Sequence, residues 1–200
     1  MSELSDRIID LYERHSRAWS DARGTKLIET AWLERFCAVL PTRAVILDVG
    51  CGPGEPIGRY LANRGFSVVG VDSSPAMIEL FRGHLPDQEA VISDMRSLAL
   101  DRRFDGLIAW DSFFHLSHDD QRAMFSIFAA HAEEGAPLLF TTGPQHGEAI
   151  GELEGEPLYH ASLAPTEYRS LLEAHGFEEV AHVANDPACG RHTVWLARRL

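Results

Sequence analysis

The chain has 200 residues, 45% of them hydrophobic, which is enough for one ordinary domain with a sizeable core. Its 18 Lys and Arg against 30 Asp and Glu give a net charge of −12, which disfavours nucleic-acid phosphates and anionic membrane surfaces as partners. No apolar run is long enough to span a membrane, and the charged start Met1–Arg7 does not resemble a secretory signal. The three cysteines (Cys37, Cys51 and Cys189) are few and far apart, as in reduced cytosolic proteins. We expect a cytoplasmic globular protein that acts on a small molecule, with no nucleic-acid or membrane partner.

Two helices are predicted before the first strand. Apolar residues recur at steps of three and four from Leu4 to Trp19, and Gly24 ends this pattern. A second helix is predicted from about residue 26 to residue 40, where Pro41 stops it.

From residue 44 onward, predicted strands and helices alternate. The strands are 44–47, 66–71, 89–92, 104–110 and 137–142, and the helices between them are 58–63, 75–84 and 119–131. Repeated β–α–β units predict an α/β fold with a doubly wound, mostly parallel sheet that is covered by helices on both faces.

The C-terminal part interrupts this alternation. Residues 143–164 are rich in Gly, Pro and Glu without a clear period, which is typical of a functional or a mobile loop. We favour a lid over the site, and a disordered surface loop is the alternative. A helix is predicted over 165–175, followed by strands over 177–183 and 193–197 with no helix between them. Strands joined without a crossover run antiparallel, so the predicted seven-stranded sheet ends in an antiparallel hairpin.

The most informative motif follows the first predicted strand. Asp48, Gly50, Gly52 and Gly54 are spaced as D-x-G-x-G-x-G, in a turn whose backbone N–H groups can approach a nucleotide-like ligand. The dinucleotide fingerprint G-x-G-x-x-G would place its third glycine where Glu55 stands. A carboxylate there would oppose a pyrophosphate at the helix N-terminus, and no Gly-Lys-Ser/Thr of a P-loop follows. A ligand with a positive centre and no phosphate suits these acidic side chains better.

This motif resembles the first motif of the class I S-adenosylmethionine-dependent methyltransferases, and the similarity extends from about residue 33 to residue 196. The resemblance implies a single Rossmann-like methyltransferase domain over residues 1–200, with 1–40 as an N-terminal helical cap and 143–164 as the lid. It implies S-adenosylmethionine as the cofactor. The glycine turn would lie against its methionine part and ribose, with Asp48 beside the amino group.

Four further residues match cofactor-binding positions of that family. An acidic residue at the end of the second strand binds both ribose hydroxyls, and Asp72 matches it, because a carboxylate accepts from two hydroxyls at once. Ser73 would then lie near the adenine. Asp94 and Met95 follow the third strand and match the residues that meet the adenine amino group and ring. The alternative role for Asp94 is that of an ordinary turn or helix-cap residue.

The fourth predicted strand leads into a loop that mixes aromatic and polar residues. By family position this loop borders the reactive methyl group, which makes Trp110 a candidate cofactor contact. Asp111 is a candidate for binding the cofactor amine or the acceptor. His115 is a candidate general base, since histidine titrates near neutral pH. The alternative is that Phe113 and Phe114 belong to the core and that His115 caps the next helix.

The N-terminal helix supplies further candidates. Tyr12 and Trp19 lie on its apolar stripe, where they would either join the core or cover the substrate and shield the sulfonium by cation–π attraction. Arg23 is a candidate partner for the cofactor carboxylate. His160, in the segment 143–164, is a candidate substrate contact and a second possible base.

The resemblance implies methyl transfer to an O, N or S atom of a small-molecule acceptor. Residues 115–119 and 186–192 contain ligand-type side chains but lack the paired spacing of a zinc site, so no metal is expected. Two alternatives remain open. One is a non-catalytic S-adenosylmethionine-binding protein or partner subunit, and the other is a nicotinamide-dependent oxidoreductase, against which Glu55 argues.

Overall fold

The centre of the fold is a sheet of seven strands, with two more strands outside it, in a computed structural model that describes residues 4–200. The strands are β1 (Val45–Val49), β2 (Ser67–Asp72), β3 (Glu89–Ile92), β4 (Gly106–Ala109), β5 (Pro137–Thr142), β6 (Gly147–Leu153), β7 (Glu156–Ser162), β8 (Phe177–Asp186) and β9 (His192–Arg199). The helices are α1 (Ile8–Arg23), α2 (Thr30–Cys37), α3 (Ile57–Asn63), α4 (Pro75–His84), α5 (His118–His131) and α6 (Pro165–Ala174). Short 3-10 turns lie at Ser5–Arg7, Met95–Ser97 and Phe113–His115.

The order of the strands confirms the predicted architecture. The sheet runs β3-β2-β1-β4-β5-β9-β8, with parallel pairing from β3 to β5 and antiparallel pairing of β9 with both β5 and β8. The strand order therefore reverses between β1 and β4. In open α/β sheets the crevice outside the carboxyl ends of the strands at such a reversal is where ligands bind.

Apolar side chains cover both faces of this sheet. On one face, α5 and α6 bury an aromatic group made of Phe113, Phe125, Phe128, Phe140 and Tyr168. On the other face, α2, α3 and α4 bury a second layer against the same strands, including Leu33, Phe36, Leu61, Ile78 and Phe81. Strands β4 and β5 are buried along their whole length, which explains their uninterrupted apolar sequence.

Helix α2 is shorter than the sequence predicts. The prediction of a helix over 26–40 is wrong at both ends, because the structure has it only over Thr30–Cys37. Before it, the chain turns: the Thr30 hydroxyl donates to the Leu27 carbonyl at 2.8 Å, and the Arg23 guanidinium donates to the Lys26 carbonyl at 2.9 Å. The Leu27 and Lys26 carbonyls thus bind side chains and no helical N–H group. For this reason the periodicity of the sequence predicts the start of α2 too early.

Residues 143–164 are more regular than predicted. Strands β6 and β7 pair antiparallel from Gly147 opposite Ser162 to Leu153 opposite Glu156, so this segment is a β-hairpin and not an irregular loop. Its two-residue tip, Glu154 and Gly155, has positive φ at both positions (51° and 79°), as hairpin turns of this length favour. The period is hidden in the sequence because β6 is almost wholly exposed and does not alternate.

The helices within residues 4–200 are all too short or too polar to cross a bilayer.

Candidate functional site

Two adjoining cavities lie at the carboxyl ends of β1, β2 and β4. The larger contains about 740 Å³ including its opening to solvent, and the smaller about 440 Å³. Both are lined by Trp19, Gly50, Gly52 and Asp111, so they form one continuous depression at the reversal of strand order.

The three glycines of the turn after β1 serve different physical needs. All have positive φ, at 73° for Gly50, 52° for Gly52 and 78° for Gly54. A Cβ on Gly50 would lie 2.2 Å from the Ser112 Cβ, and one on Gly54 would lie 2.7 Å from the Phe81 ring. A Cβ on Gly52 would meet nothing within 4 Å, and this glycine lines both cavities. Gly50 and Gly54 thus permit close packing, and Gly52 leaves the space that a ligand would fill.

Asp72 stands at the end of β2 and lines the larger cavity together with Ser73. One of its carboxylate oxygens accepts the Gly52 N–H at 3.0 Å, and the other accepts the Ser74 N–H at 2.9 Å. Burial raises the pKa of Asp72 in spite of these two donors. The carboxylate is thereby fixed between the glycine turn and the start of α4, as the predicted ribose contact requires.

Asp48 lies next to the end of β1 and lines the smaller cavity. Asp48 is only 4% exposed to solvent. Burial, followed by the nearby negative charge of Asp72, raises the pKa of Asp48 to about 7. A cationic group bound in the smaller cavity would favour the ionised form of this carboxyl, so the site is chemically suited to a ligand with an amine or sulfonium.

Asp94 has the role of a helix-cap residue, which was the alternative for it, and its contact with adenine stays a prediction. It accepts the Arg96 N–H at 2.9 Å as the cap of the 3-10 turn, and it also binds the Arg96 guanidinium at 2.6 Å. Burial acts to raise the pKa of Asp94, but the hydrogen bonds from Arg96 outweigh it and lower the pKa. Ser93, Asp94, Met95 and Arg96 all line the larger cavity.

Asp111 is held by β5 and β9 in a conformation that is uncommon for a residue other than glycine. Its φ is 50°, and its N–H donates to the Thr141 hydroxyl at 2.9 Å. Its carboxylate lies 3.0 Å from His192 Nε2, and His192 Nδ1 lies 2.8 Å from the Cys189 carbonyl oxygen. Both ring nitrogens of His192 face oxygen atoms, those of the Asp111 carboxyl and of the Cys189 carbonyl, and this arrangement favours the protonated ring. The hydrogen bond with Asp111 raises the pKa of His192.

Sequence reasoning missed His192. An antiparallel strand begins at the edge where its parallel neighbours end, and β9 begins at His192 beside the end of β5. A polar residue at the start of a predicted antiparallel strand is therefore the signal that would have found it.

Trp110 and Arg23 line the smaller cavity, as predicted cofactor contacts should. The Trp110 indole packs against the His192 ring, with centroids 5.5 Å apart. Its Nε1–H is buried and has no hydrogen-bond partner among residues 4–200. The Arg23 guanidinium donates to Glu29 at 2.5 Å, and Glu29 is fully buried. A ligand with an acceptor atom would satisfy the indole, and one with a carboxylate would share the guanidinium with Glu29.

Tyr12 and His115 meet across the larger cavity. The Tyr12 hydroxyl lies 2.9 Å from His115 Nε2, and His115 Nδ1 lies 2.7 Å from the Tyr159 carbonyl oxygen. Burial lowers the pKa of His115 to about 4, so its ring is neutral at neutral pH. Burial, followed by the charges of Asp111 and Asp72, raises the pKa of Tyr12, which therefore keeps its proton. Trp19 packs edge-on against Tyr12 and completes this wall.

His160 lies behind His115. Its ring packs against those of His115 and Phe114, with centroids 4.8 Å and 5.2 Å apart, and it lines neither of the two cavities. The substrate contact of His160 stays a prediction. In this structure the His160 ring is not part of the cavity wall but packs against His115, which is. The alternative for this loop placed Phe113 in the core, and Phe113 is indeed buried in the aromatic group under α5.

Helix α1 lines the larger cavity through Tyr12 and Trp19, and the β6–β7 hairpin packs against α1; the two elements together are called the cover below. Glu13 on α1 accepts hydrogen bonds from the Ser74 hydroxyl at 2.5 Å and the Ala76 N–H at 3.0 Å, at the start of α4. Glu156 near the hairpin tip pairs with the neighbouring side chains Arg14 and His15, each at 2.7 Å. Leu11, Leu153 and Leu158 pack together between the two elements.

Within the described residues, no group of three or more His, Cys, Asp or Glu side chains is arranged to hold a metal ion.

Comparison with known proteins gives a consistent result. Residues 46–135 match the family model described as a methyltransferase domain. The chain is 35% identical over 118 residues to a putative methyltransferase of Bacillus subtilis, YqeM, covering 56% of this chain and 46% of the relative. It is also 35% identical over 98 residues to a trans-aconitate 2-methyltransferase of Variovorax paradoxus, covering 48% of this chain and 38% of that protein. The chain thus spans about half or less of the length of these two curated relatives.

Solved structures resemble this fold over almost its whole length. An S-adenosylmethionine-bound amino pentose methyltransferase from Micromonospora echinaspora superposes with a TM-score of 0.72 at 22% identity, covering 92% of this chain and 96% of that one. A 1,6-didemethyltoxoflavin N1-methyltransferase from Burkholderia thailandensis gives a TM-score of 0.72 at 21% identity, covering 98% of this chain and 87% of that one. At these identities the likeness establishes the fold.

Proposed function

We propose that this chain, which belongs to the class I S-adenosylmethionine-dependent methyltransferase family, binds S-adenosylmethionine across the two adjoining cavities and transfers its methyl group to a small-molecule acceptor. The observation that carries the proposal is the placement of Asp72. Its carboxylate is fixed beside the open Gly52 position, where ribose hydroxyls would meet two acceptor oxygens.

The residues present fit this cofactor. The larger cavity would take the adenosine between Asp72, Ser73 and the segment Ser93–Arg96. The smaller cavity would take the methionine part, with Arg23 and the buried Trp110 N–H as donors for its carboxylate. Asp48 and Asp111 would face its ammonium and sulfonium charges. Among these contacts, the Trp110 N–H is buried and without a hydrogen-bond partner in the described residues.

When bound, S-adenosylmethionine supplies an electrophilic methyl group on a positively charged sulfur. The protein's own contribution is to hold the acceptor in line with that methyl group and to exclude water, which is worth up to about 7–11 kcal/mol in favourable cases. Asp111 and His115 line the cavity and are the proposed catalytic candidates, with Tyr12 and Trp19 as acceptor contacts. We propose one domain over residues 1–200, with 1–40 as its helical cap and the segment 143–164 as its lid, in the cytoplasm.

The acceptor is proposed to be small on the basis of the net charge and of the relatives. Helix α1 lines one side of the larger cavity, which also opens to solvent. The net charge of −12 also disfavours nucleic acid. The names of the relatives point to small molecules as well, namely trans-aconitate for one and an amino pentose for another.

A nicotinamide-dependent oxidoreductase is the second candidate. Its pyrophosphate would lie at the start of α3, where Glu55 lines the smaller cavity. Arg59 pairs with Glu55 at 2.7 Å and reduces this repulsion, but the carboxylate still occupies the position at which the fingerprint requires glycine.

Thermal denaturation with each ligand tests the proposal. We expect S-adenosylmethionine and S-adenosylhomocysteine to raise the melting temperature of the protein and NAD(H) to leave it unchanged, because a ligand stabilises the folded state only if it binds there. A screen of small acceptors that detects S-adenosylhomocysteine release then tests catalysis. Stabilisation by NAD(H) alone would refute the cofactor assignment. Tight S-adenosylmethionine binding without release of S-adenosylhomocysteine on any acceptor would identify a non-catalytic binding protein or partner subunit.

A further inference from the structure

The hydrogen-bond chain through Tyr12 and His115 has only one consistent direction. The Tyr159 carbonyl oxygen can only accept, so His115 Nδ1 carries the hydrogen of the neutral ring. His115 Nε2 is then an acceptor, and the Tyr12 hydroxyl must donate to it. The Tyr12 oxygen is left with lone pairs alone for any further partner in the cavity.

Two carboxyl groups line the same cavity as Tyr12, those of Asp111 and Asp72. His160 packs against the other side of His115, and its own pKa is lowered by burial, so it adds no positive charge at neutral pH. Arg96 also lines the cavity, and its guanidinium is paired with Asp94 at 2.6 Å. An acceptor group that binds the Tyr12 oxygen must bring a hydrogen to donate, which a carboxylate or a phenolate cannot do.

We propose that the methyl acceptor is a neutral hydroxyl compound whose O–H donates to the Tyr12 oxygen, and that Tyr12 and His115 together receive its proton. This inference rests on the proposed function and specifies its substrate class. In the step, the acceptor oxygen forms a bond to the methyl carbon, and the electron pair of the C–S bond goes to sulfur. The O–H proton passes to Tyr12, the Tyr12 proton passes to His115 Nε2, and the resulting imidazolium keeps its Nδ1–H on the Tyr159 carbonyl.

The chemistry of the product explains why a hydroxyl fits and an amine does not. A hydroxyl that gains a methyl group before losing its proton becomes an oxonium, a far stronger acid than an imidazolium, so even a buried histidine of low basicity accepts that proton. An alkyl amine such as cyclohexylamine becomes an ammonium, with an ordinary pKa of about 10 against about 6.5 for imidazole, and keeps its proton; an aryl amine needs no base before methylation, because its nitrogen lone pair is free in the neutral form. A thiol is only a weak hydrogen-bond donor to Tyr12. The pair thus serves O-methylation selectively.

Matched acceptors and a tyrosine variant test this assignment. The probes are phenol, aniline and thiophenol, together with cyclohexanol, cyclohexylamine and cyclohexanethiol, each incubated with S-adenosylmethionine and analysed by mass spectrometry for the methylated atom. We expect O-methylation to be fastest in each set. Tyr12→Phe keeps the ring packed on Trp19 and should lower kcat for hydroxyl acceptors roughly 100-fold, as loss of general-base assistance does, and should lower the rates for amine acceptors much less.

Controls separate a role in proton transfer from a role in folding. Tyr60→Phe removes a buried tyrosine hydroxyl on α3, away from both cavities, and should leave every rate unchanged. ¹⁵N-detected NMR of the histidines should show His115 as the neutral Nδ1–H tautomer at pH 7.

Four results would overturn the inference: preferred methylation of the amine or thiol probes, an equal effect of Tyr12→Phe on all acceptors, an Nε2–H tautomer of His115, or no product from any hydroxyl probe although S-adenosylmethionine binds. Failure of S-adenosylmethionine to bind would instead refute the proposed function itself.

Discussion

The carboxyl edge of the sheet and the cover above it are built in different ways. At the edge, Asp48, Asp72 and the glycine turn lie within one β–α–β unit, and the Asp72 carboxylate accepts from backbone N–H groups only 2 and 20 positions away. In the cover, contacts join residues more than 100 positions apart, such as Tyr12 with His115 and His15 with Glu156. The proposed cofactor site is thus encoded locally, and the proposed acceptor site depends on long-range packing.

The two regions also differ in electrostatics. The edge buries carboxyl groups close together, and burial raises the pKa of both Asp48 and Asp72. In the cover, hydrogen bonds from partners lower the pKa of both Glu13 and Glu156, which lie nearer to solvent. Ionised carboxyl groups at the edge are therefore unfavourable until a cation binds beside them. The cover is held by ion pairs near the surface, which are individually weak. Substitutions at the edge should weaken S-adenosylmethionine binding strongly, and substitutions in the cover should weaken it only slightly.

Asp72→Asn tests the edge most severely. We expect the dissociation constant for S-adenosylmethionine to rise roughly 100-fold, because a hydrogen bond to a charged group is worth about 1.5–3 kcal/mol and the ribose would lose its carboxylate partner. Isothermal titration calorimetry measures the change. Asp105→Asn is the matched control, since its carboxylate also accepts a backbone N–H, that of Val45 at 2.8 Å, but at the opposite edge of the sheet. Equal affinities for the wild type and Asp72→Asn would contradict the ribose assignment.

Asp48→Asn should reveal the unfavourable ionisation at the edge as a pH-dependent gain in stability. The pKa of about 7 in the folded protein lies above the ordinary 3.8, so the folded state binds more protons and the free energy of unfolding falls as pH rises from about 4 to 7. We expect the variant to be more stable than the wild type at pH 8, by about 4 kcal/mol or roughly 8–16 °C. At pH 4 this difference should vanish.

Urea denaturation of the apo protein at both pH values measures this effect. Asp101→Asn, a change at an exposed turn, controls for the loss of one surface charge. A gain for Asp48→Asn of the same size at pH 4 and pH 8 would show that ionisation of Asp48 is not its source. The same variant should bind S-adenosylmethionine more weakly, since it lacks the carboxylate that faces the cation.

The difference between the two regions also explains which features the sequence predicts. The alternating elements, the seven strands and the antiparallel end are confirmed by the strand order, because each depends on local periodicity and on short connections. The residues around the glycine turn are placed together at the edge for the same reason. Asp72 needs only the end of β2 and the turn after β1 to meet it.

What the sequence does not predict depends on distant contacts. The β6–β7 hairpin lacks alternation because one of its strands is exposed, and its packing on α1 through Leu11 is visible only in three dimensions. The pair of Asp111 with His192 joins β4 to β9 across the sheet. The tautomer of His115 depends on a carbonyl 44 positions away, so the sequence offered His115 as a base without its low pKa or its tyrosine partner.

Glu13→Ala should have the smallest effect, because it loosens the cover without altering the edge. Loss of the hydrogen bonds to Ser74 and Ala76 should increase hydrogen exchange along α1 and raise the dissociation constant for S-adenosylmethionine about fivefold, the scale of one modest hydrogen bond. Asp10→Ala, an exposed change on the same helix, is the control.

The hydrogen bond from Ser74, followed by that from Ala76, lowers the pKa of Glu13 below its ordinary 4.5. The contact is therefore complete above about pH 4.5 and lost as pH falls through the lowered value, so acidification of the wild type should reproduce the exchange pattern of the variant. If α1 stays protected in both cases, then Leu11 and the hairpin hold the cover without Glu13, and the cover is a more rigid part of the fold than its exposed ion pairs indicate.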